Sequence, residues 1–131
     1  MNTQHIHSED WREFCEKFTE FNRGSLLSIE TIGADGIRSE LFRDLPLDKM
    51  TFDKTDACND IISISLVGRI EQRKENHFVI DPVDMQIKES KAGNKILQIR
   101  AENGTTLVTF HSGRFPAAID FSEEKRFAIP S

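Results

Sequence analysis

The side chains in this sequence best suited to chemistry are its histidines and a few closely spaced aspartates. His5 and His7 stand two apart in HIHSED, on one side of an extended segment, a spacing at which two imidazoles can hold a divalent cation. Two ligands near a chain end make a weak site, so the sequence assigns no metal and leaves His5 and His7 as candidate ligands only. Asp81 and Asp84 flank Pro82-Val83, and Asp44 and Asp48 flank Leu45-Pro46-Leu47. Such paired carboxylates do acid–base work when one is desolvated and the two environments differ. Beside a proline, aspartate more often bonds its own backbone, which is the plainer role. His77 and His111 fall in strand-like contexts where folding can bring them to a carboxylate, although nothing in their spacing dictates it. Asp44, Asp81, Asp84, His77 and His111 are therefore the catalytic candidates, and no motif draws them together.

Other chemistries lack their parts. Asp53, Asp56, Asn59 and Asp60 offer oxygen ligands, but a calcium loop needs them at alternate positions with a central glycine and a closing glutamate, so a solvated turn is expected. Neither a GxSxG elbow, nor a cysteine with a nearby histidine, nor a glycine-rich phosphate loop is present. Cys15 and Cys58 are too far apart in sequence for CxxC redox chemistry or a zinc ribbon and read as buried thiols. Asn103-Gly104-Thr105 matches a glycosylation sequon and reads as a turn, and GRIEQRKENH reads as a charged, solvated connection. No cofactor is implied.

Composition narrows the partners. A chain of 131 residues fits one domain, 1–131, with 37% hydrophobic and 30% charged residues as in globular proteins. Its formal net charge of −5 works against binding a phosphate backbone, so nucleic acid is not an expected partner. No run approaches the ~18 apolar residues of a spanning helix, and the N-terminus lacks the apolar stretch of a signal peptide, which leaves a cytoplasmic location as the expectation.

The elements that must position these residues begin with a helix over about 9–22. Ser8 can cap it, Glu9 and Asp10 suit the positive end of its dipole, and Trp11, Phe14, Cys15, Phe18 and Phe21 recur as one stripe. Gly24 suits the left-handed position after the last turn. A helix this short gains stability mainly from packing, so the stripe must lie on something. From residue 25 to 111 the period changes to two. Leu27, Ile29 and Thr31, then a turn at Gly33–Gly36, then Ile37, Ser39 and Leu41 form a hairpin that DLPLD should break. A short strand at 50–54, a central strand over 61–67, strands resuming at 77–80 and after Pro82, and a turn at 91–94 follow. The run from Lys95 to Phe110 is split by Asn103-Gly104, which favours a type I′ hairpin. The tail, 112–131, has Phe115, Phe121 and Phe127 but no sustained period. Strands joined by turns this tight pair antiparallel. The expected class is α+β: an N-terminal amphipathic helix packed on a curved antiparallel sheet or half-barrel of six to eight strands.

The helix SEDWREFCEKFTEFNRG running into SLLSIE, the RDLPLD segment, the HFVIDPVDMQI run and the ENGTTLVTF hairpin together resemble a family of small uncharacterised bacterial proteins, a domain of unknown function. The resemblance spans most of residues 6–116 and implies a bacterial, soluble, stand-alone domain. It carries over no catalytic residue.

Three functions follow as expectations. The first is a non-catalytic binding or interaction module, holding an unknown protein by strand addition or a small apolar ligand in the barrel mouth. The second is a small hydrolase or isomerase built on the Asp and His side chains. The third is a structural homo-oligomer whose tail crosses to a neighbour, so that monomer and homodimer both stay open. The abundance of core-forming residues without a convergent catalytic set favours the first.

Overall fold

The computed structural model describes residues 2–54, 59–71, 73–89 and 95–110. The expectations for Asp56, Cys58, the turn at 91–94, His111 and the tail 112–131 lie outside the described residues. Helix α1 spans Trp11–Asn22 and is entered through a 3-10 turn at Ser8–Asp10. Ser8 opens that turn instead of capping the helix, and no side chain caps either N-terminus. Trp11, Phe14, Cys15 and Phe18 are buried as the periodicity requires, but the stripe ends on Asn22, while Phe21 is 44% exposed. At 100° per residue position 22 returns to the centre of the stripe and position 21 falls at its edge. Gly24 takes φ +90, as its place after the helix demands.

Eight strands follow the chain: β1 (Asn2–His5), β2 (Leu26–Gly33), β3 (Arg38–Lys54), β4 (Asp60–Val67), β5 (Lys74–Ile80), β6 (Pro82–Glu89), β7 (Lys95–Ala101) and β8 (Gly104–Phe110). They form one open sheet in the order β1-β6-β7-β8-β2-β3-β4-β5, antiparallel throughout and not closed into a barrel. The class is α+β, as expected from the helix followed by turn-linked strands.

Two bends curl the sheet. DLPLD was expected to end a strand, yet β3 runs through it and changes partner there: Pro46 still faces Leu26 of β2, whereas Leu47 faces Leu66 of β4. Asp44, at φ +53, and the irregular register on both sides of it supply the bend. The second bend is Asp81, at φ +52, the sole residue between β5 and β6. Aspartate is among the few non-glycine residues that tolerate this left-handed region, and here Asp81 Oδ1 accepts the Asp60 amide across the ladder at 3.2 Å. The last hairpin also departs from expectation. Ala101 faces Gly104, so the loop is Glu102-Asn103, and only Gly104 of the Asn-Gly pair has positive φ, at +150.

The core gathers on the concave side. Phe14 and Phe18 of α1, Leu27 and Ile29 of β2, and Ile62, Ile64 and Leu66 of β4 are all completely buried. The Phe18 and Phe110 rings meet edge-on, 5.2 Å apart, tying the helix to the last strand.

The helix also covers a sheet edge. Beyond Leu47, β3 has β4 on one side only, and on the other its carbonyls at Met50 and Phe52 meet α1 and that at Asp48 meets Arg23 just after the helix. Arg23 Nε donates to the Asp48 carbonyl at 2.9 Å, the Thr19 hydroxyl lies 3.0 Å from that of Met50, and Arg12 Nη1 donates to that of Phe52 at 3.1 Å. Arg12 also lies over the Phe52 ring, 5.5 Å from its centroid.

Candidate functional site

Unpaired strand edges attract other strands, and folded proteins shorten, cover or interrupt them. Here β1 is four residues long, β3 beyond Leu47 is covered by α1, and the earlier half of β3, which has β2 on one side only, carries Arg38, Glu40 and Arg43 and is interrupted by irregular register and the Asp44 bend. Among the described residues the seven-residue β5 is neither short nor covered by another element. Its pairing with β4 is regular, without a bulge, and it contains no proline.

Which of its backbone groups are free follows from two bonds. Gly68 N donates to the Arg73 carbonyl at 2.6 Å, and Asp81 N donates to the Asp60 carbonyl at 2.7 Å, both in the register that sets Ile61 opposite Ile80. Bonds in an antiparallel ladder recur at every second residue, so Glu75, His77 and Val79 turn their amides and carbonyls toward β4. Lys74, Asn76, Phe78 and Ile80 therefore turn theirs to the free side, where no described strand lies. Phe78 and Ile80 are 56% and 43% exposed, with Ile61 opposite Ile80 and Val83 exposed just past the Asp81 bend.

Two hollows adjoin this edge. One, of about 210 Å³, runs from His77–Ile80 of β5 to the β2 end and the β7–β8 turn. The other, of about 510 Å³, continues past Asp81, Val83 and Arg100. They share Ile32, Gly33, Ala101, Gly104 and Thr105, giving a mostly apolar floor.

The candidate catalytic residues are dispersed. His77 faces inward, and its Nε2 lies 2.9 Å from Thr106 Oγ1 of β8. Burial pushes its pKa down, which favours the neutral ring in a hydrogen-bonding role. Asp81 lines the larger hollow and serves the bend. Asp44 lines a third hollow, of about 340 Å³, with Glu30, Glu40 and Arg43, and its amide donates to Ser28 Oγ at 3.0 Å. His111 lies outside the described residues.

One pair of remote candidates does meet. His5 Nε2 lies 3.2 Å from Asp84 Oδ1, Gln86 Nε2 donates to Asp84 Oδ2 at 2.9 Å, and Arg100 Nη2 lies 3.8 Å from the same oxygen. The Asp84 side chain is 8% exposed, so the imidazole, amide and guanidinium groups around it replace the water it loses. This cluster pins β1 onto β6 and β7, which is a structural task. His7 is elsewhere in role: its carbonyl accepts the Asp10 amide at 2.8 Å and opens the 3-10 turn. Among the described residues, no three His, Cys, Asp or Glu side chains converge as metal ligands.

The strand expected at His77–Ile80 starts earlier: Lys74–Asn76, read as part of the charged GRIEQRKENH connection, already pair with Val67–Ser65 of β4. Its place at an edge is not legible either, because nothing within KENHFVI states which side will lack a neighbour. The period-two exposure of Phe78 and Ile80 was the available signal.

Searches of curated proteins and of solved structures return no significant match. A family profile described as a family of unknown function (DUF5335) matches residues 2–118, and with nearly the whole chain covered, the protein belongs to that family.

Proposed function

We propose that the chain is a non-catalytic interaction module that binds an extended polypeptide segment along the free edge of β5. Backbone bonding to Lys74, Asn76, Phe78 and Ile80 supplies affinity, and apolar side chains of the segment settle on Phe78, Ile80 and Val83. The observation that supports this reading is the contrast between edges: α1 covers β3 beyond Leu47, whereas no described strand pairs with the outer side of the regular, partly apolar, seven-residue β5. A catalytic reading has less support, since His77, Asp81 and Asp44 line different hollows. The resemblance to bacterial proteins and the free, buried thiol of Cys15 fit a bacterial cytoplasm.

Titrating labelled protein with displayed extended peptides tests it. A binder should shift the Lys74, Asn76, Phe78 and Ile80 amide signals more than those of Glu75, His77 and Val79. Perturbations confined to α1 or to the β1 face would reject it. The two adjoining hollows support a second reading, in which a small apolar ligand rests on Ile32, Val83 and Ala101. Native mass spectrometry of freshly purified protein would show that ligand as retained mass.

A further inference from the structure

We infer that the segment filling this edge is β5 of a second copy, running antiparallel about a two-fold axis through His77. The inference rests on the β5 edge being the working surface, and it names the partner.

The charges along the strand choose the partner and the direction. Arg73 precedes β5 and Asp81 follows it, both exposed, so the strand is positive at its start and negative at its end. Parallel association sets Arg73 against Arg73. Antiparallel association sets it against Asp81, and by symmetry it does so twice.

The free backbone groups then choose the register. Only one two-fold arrangement lets all four outward residues pair: Lys74 with Ile80 of the second copy, Asn76 with Phe78, and the reverse of each. That gives about eight interchain backbone hydrogen bonds. In this register Arg73 falls directly opposite Asp81, at the closely spaced kind of pair where side chains interact most. Sliding by one step in one direction sets Glu75 against Asp81, and in the other sets Glu71 against Asp81. Both place like charges together and leave backbone groups unmatched.

The local contacts leave these groups available. Lys74 Nζ is 3.0 Å from Asp48 Oδ1 and is already neutralised, whereas Arg73 has no ion-pair partner among the described residues. Asp81 uses Oδ1 for the Asp60 amide, which leaves Oδ2 to a guanidinium. His77, held toward the neutral form by burial and bonded to Thr106, brings no repulsion to the axis. The hollow beside His77–Ile80 gives the incoming strand end a place against the β7–β8 turn.

Sedimentation equilibrium over a wide concentration range tests the pairing. The mass of the full chain should rise from 15.0 kDa toward twice that value. Asn76→Pro removes an amide that points to the free side, not to β4, and should abolish the rise while leaving the circular dichroism spectrum intact. Arg73→Glu should weaken association about tenfold. Asp81→Asn keeps both the local bond and the tolerance for positive φ, and in that background Arg73→Glu should lose most of its effect. If Asn76→Pro fails to fold, this cycle decides alone. A wild-type chain that stays monomeric, an association that the cycle leaves unchanged, or one lost only on deleting residues 112–131 overturns the inference. If the chain is monomeric but peptides still shift the outward amides, self-pairing fails and the edge-binding reading stands; if neither occurs, both fail.

Discussion

The Thr19 hydroxyl accepts a hydrogen bond from the Met50 amide at 2.8 Å and lies 3.0 Å from the Met50 carbonyl, so one helix side chain meets both polar groups of a strand residue. Arg12 of α1 and Arg23 just after it donate to the Phe52 and Asp48 carbonyls on either side. Thr19→Val keeps the shape and removes the hydroxyl, leaving the Met50 amide without its partner. That should cost about 1–3 kcal/mol in urea unfolding, with Thr19→Ser losing much less. Equal stability of the valine and serine variants would show that the edge is not held by this bond.

Stability should fall as the solution is acidified through the histidine range. Burial holds the His77 pKa below its ordinary value, so above the unfolded pKa of ~6.5 both states are neutral and the full contribution is present. As pH drops below that value the unfolded chain takes up a proton that the folded one refuses, and stability is lost until the folded pKa is reached. His77→Gln can still bond Thr106 and should flatten this part of the curve. Melting temperatures of both proteins between neutral and mildly acidic pH check it; parallel curves would count against it.

Gly104 begins β8 at φ +150, and a Cβ there would sit 2.7 Å from the Ile32 carbonyl oxygen. Gly104→Ala combines strained backbone with a clash against backbone, and should cost about 1–3 kcal/mol. Gly36→Ala, also at positive φ but with nothing within 4 Å, should cost less. Denaturant midpoints of the two variants rank them.

Cys15 is a core residue with no access to solvent, and burial pushes its thiol pKa up to about 12. In a Cys58→Ser background it should react with a thiol reagent at mildly alkaline pH only after denaturant is added. Rapid labelling of the native protein would mean that α1 opens readily.

Much of the fold was legible because burial imposes a period. The stripe of α1, the alternation in β2 and β8, and the apolar run of β4 each announced an inward face. What was missed depends on the partner and not on the segment. Asn2–His5 is polar and short, and becomes a strand only because β6 lies beside it. Pro46 looked like a stop, but it falls where β3 exchanges one partner for another. Arg12 and Thr19 lie outside the apolar stripe, yet with Arg23 they satisfy the edge of β3. His5 and Asp84 were noted separately, and only the sheet order brings them within 3.2 Å.

The crease at Asp81 makes β5 and β6 a single ribbon whose halves serve opposite flanks of the molecule. Peeling β5 away therefore drags on β6, which is clamped between β1 and β7. A fluctuation that liberates the outermost ribbon half must loosen both flanks together. The inward amides of Glu75, His77 and Val79 should accordingly exchange with solvent as slowly as those of β4, although they belong to a rim.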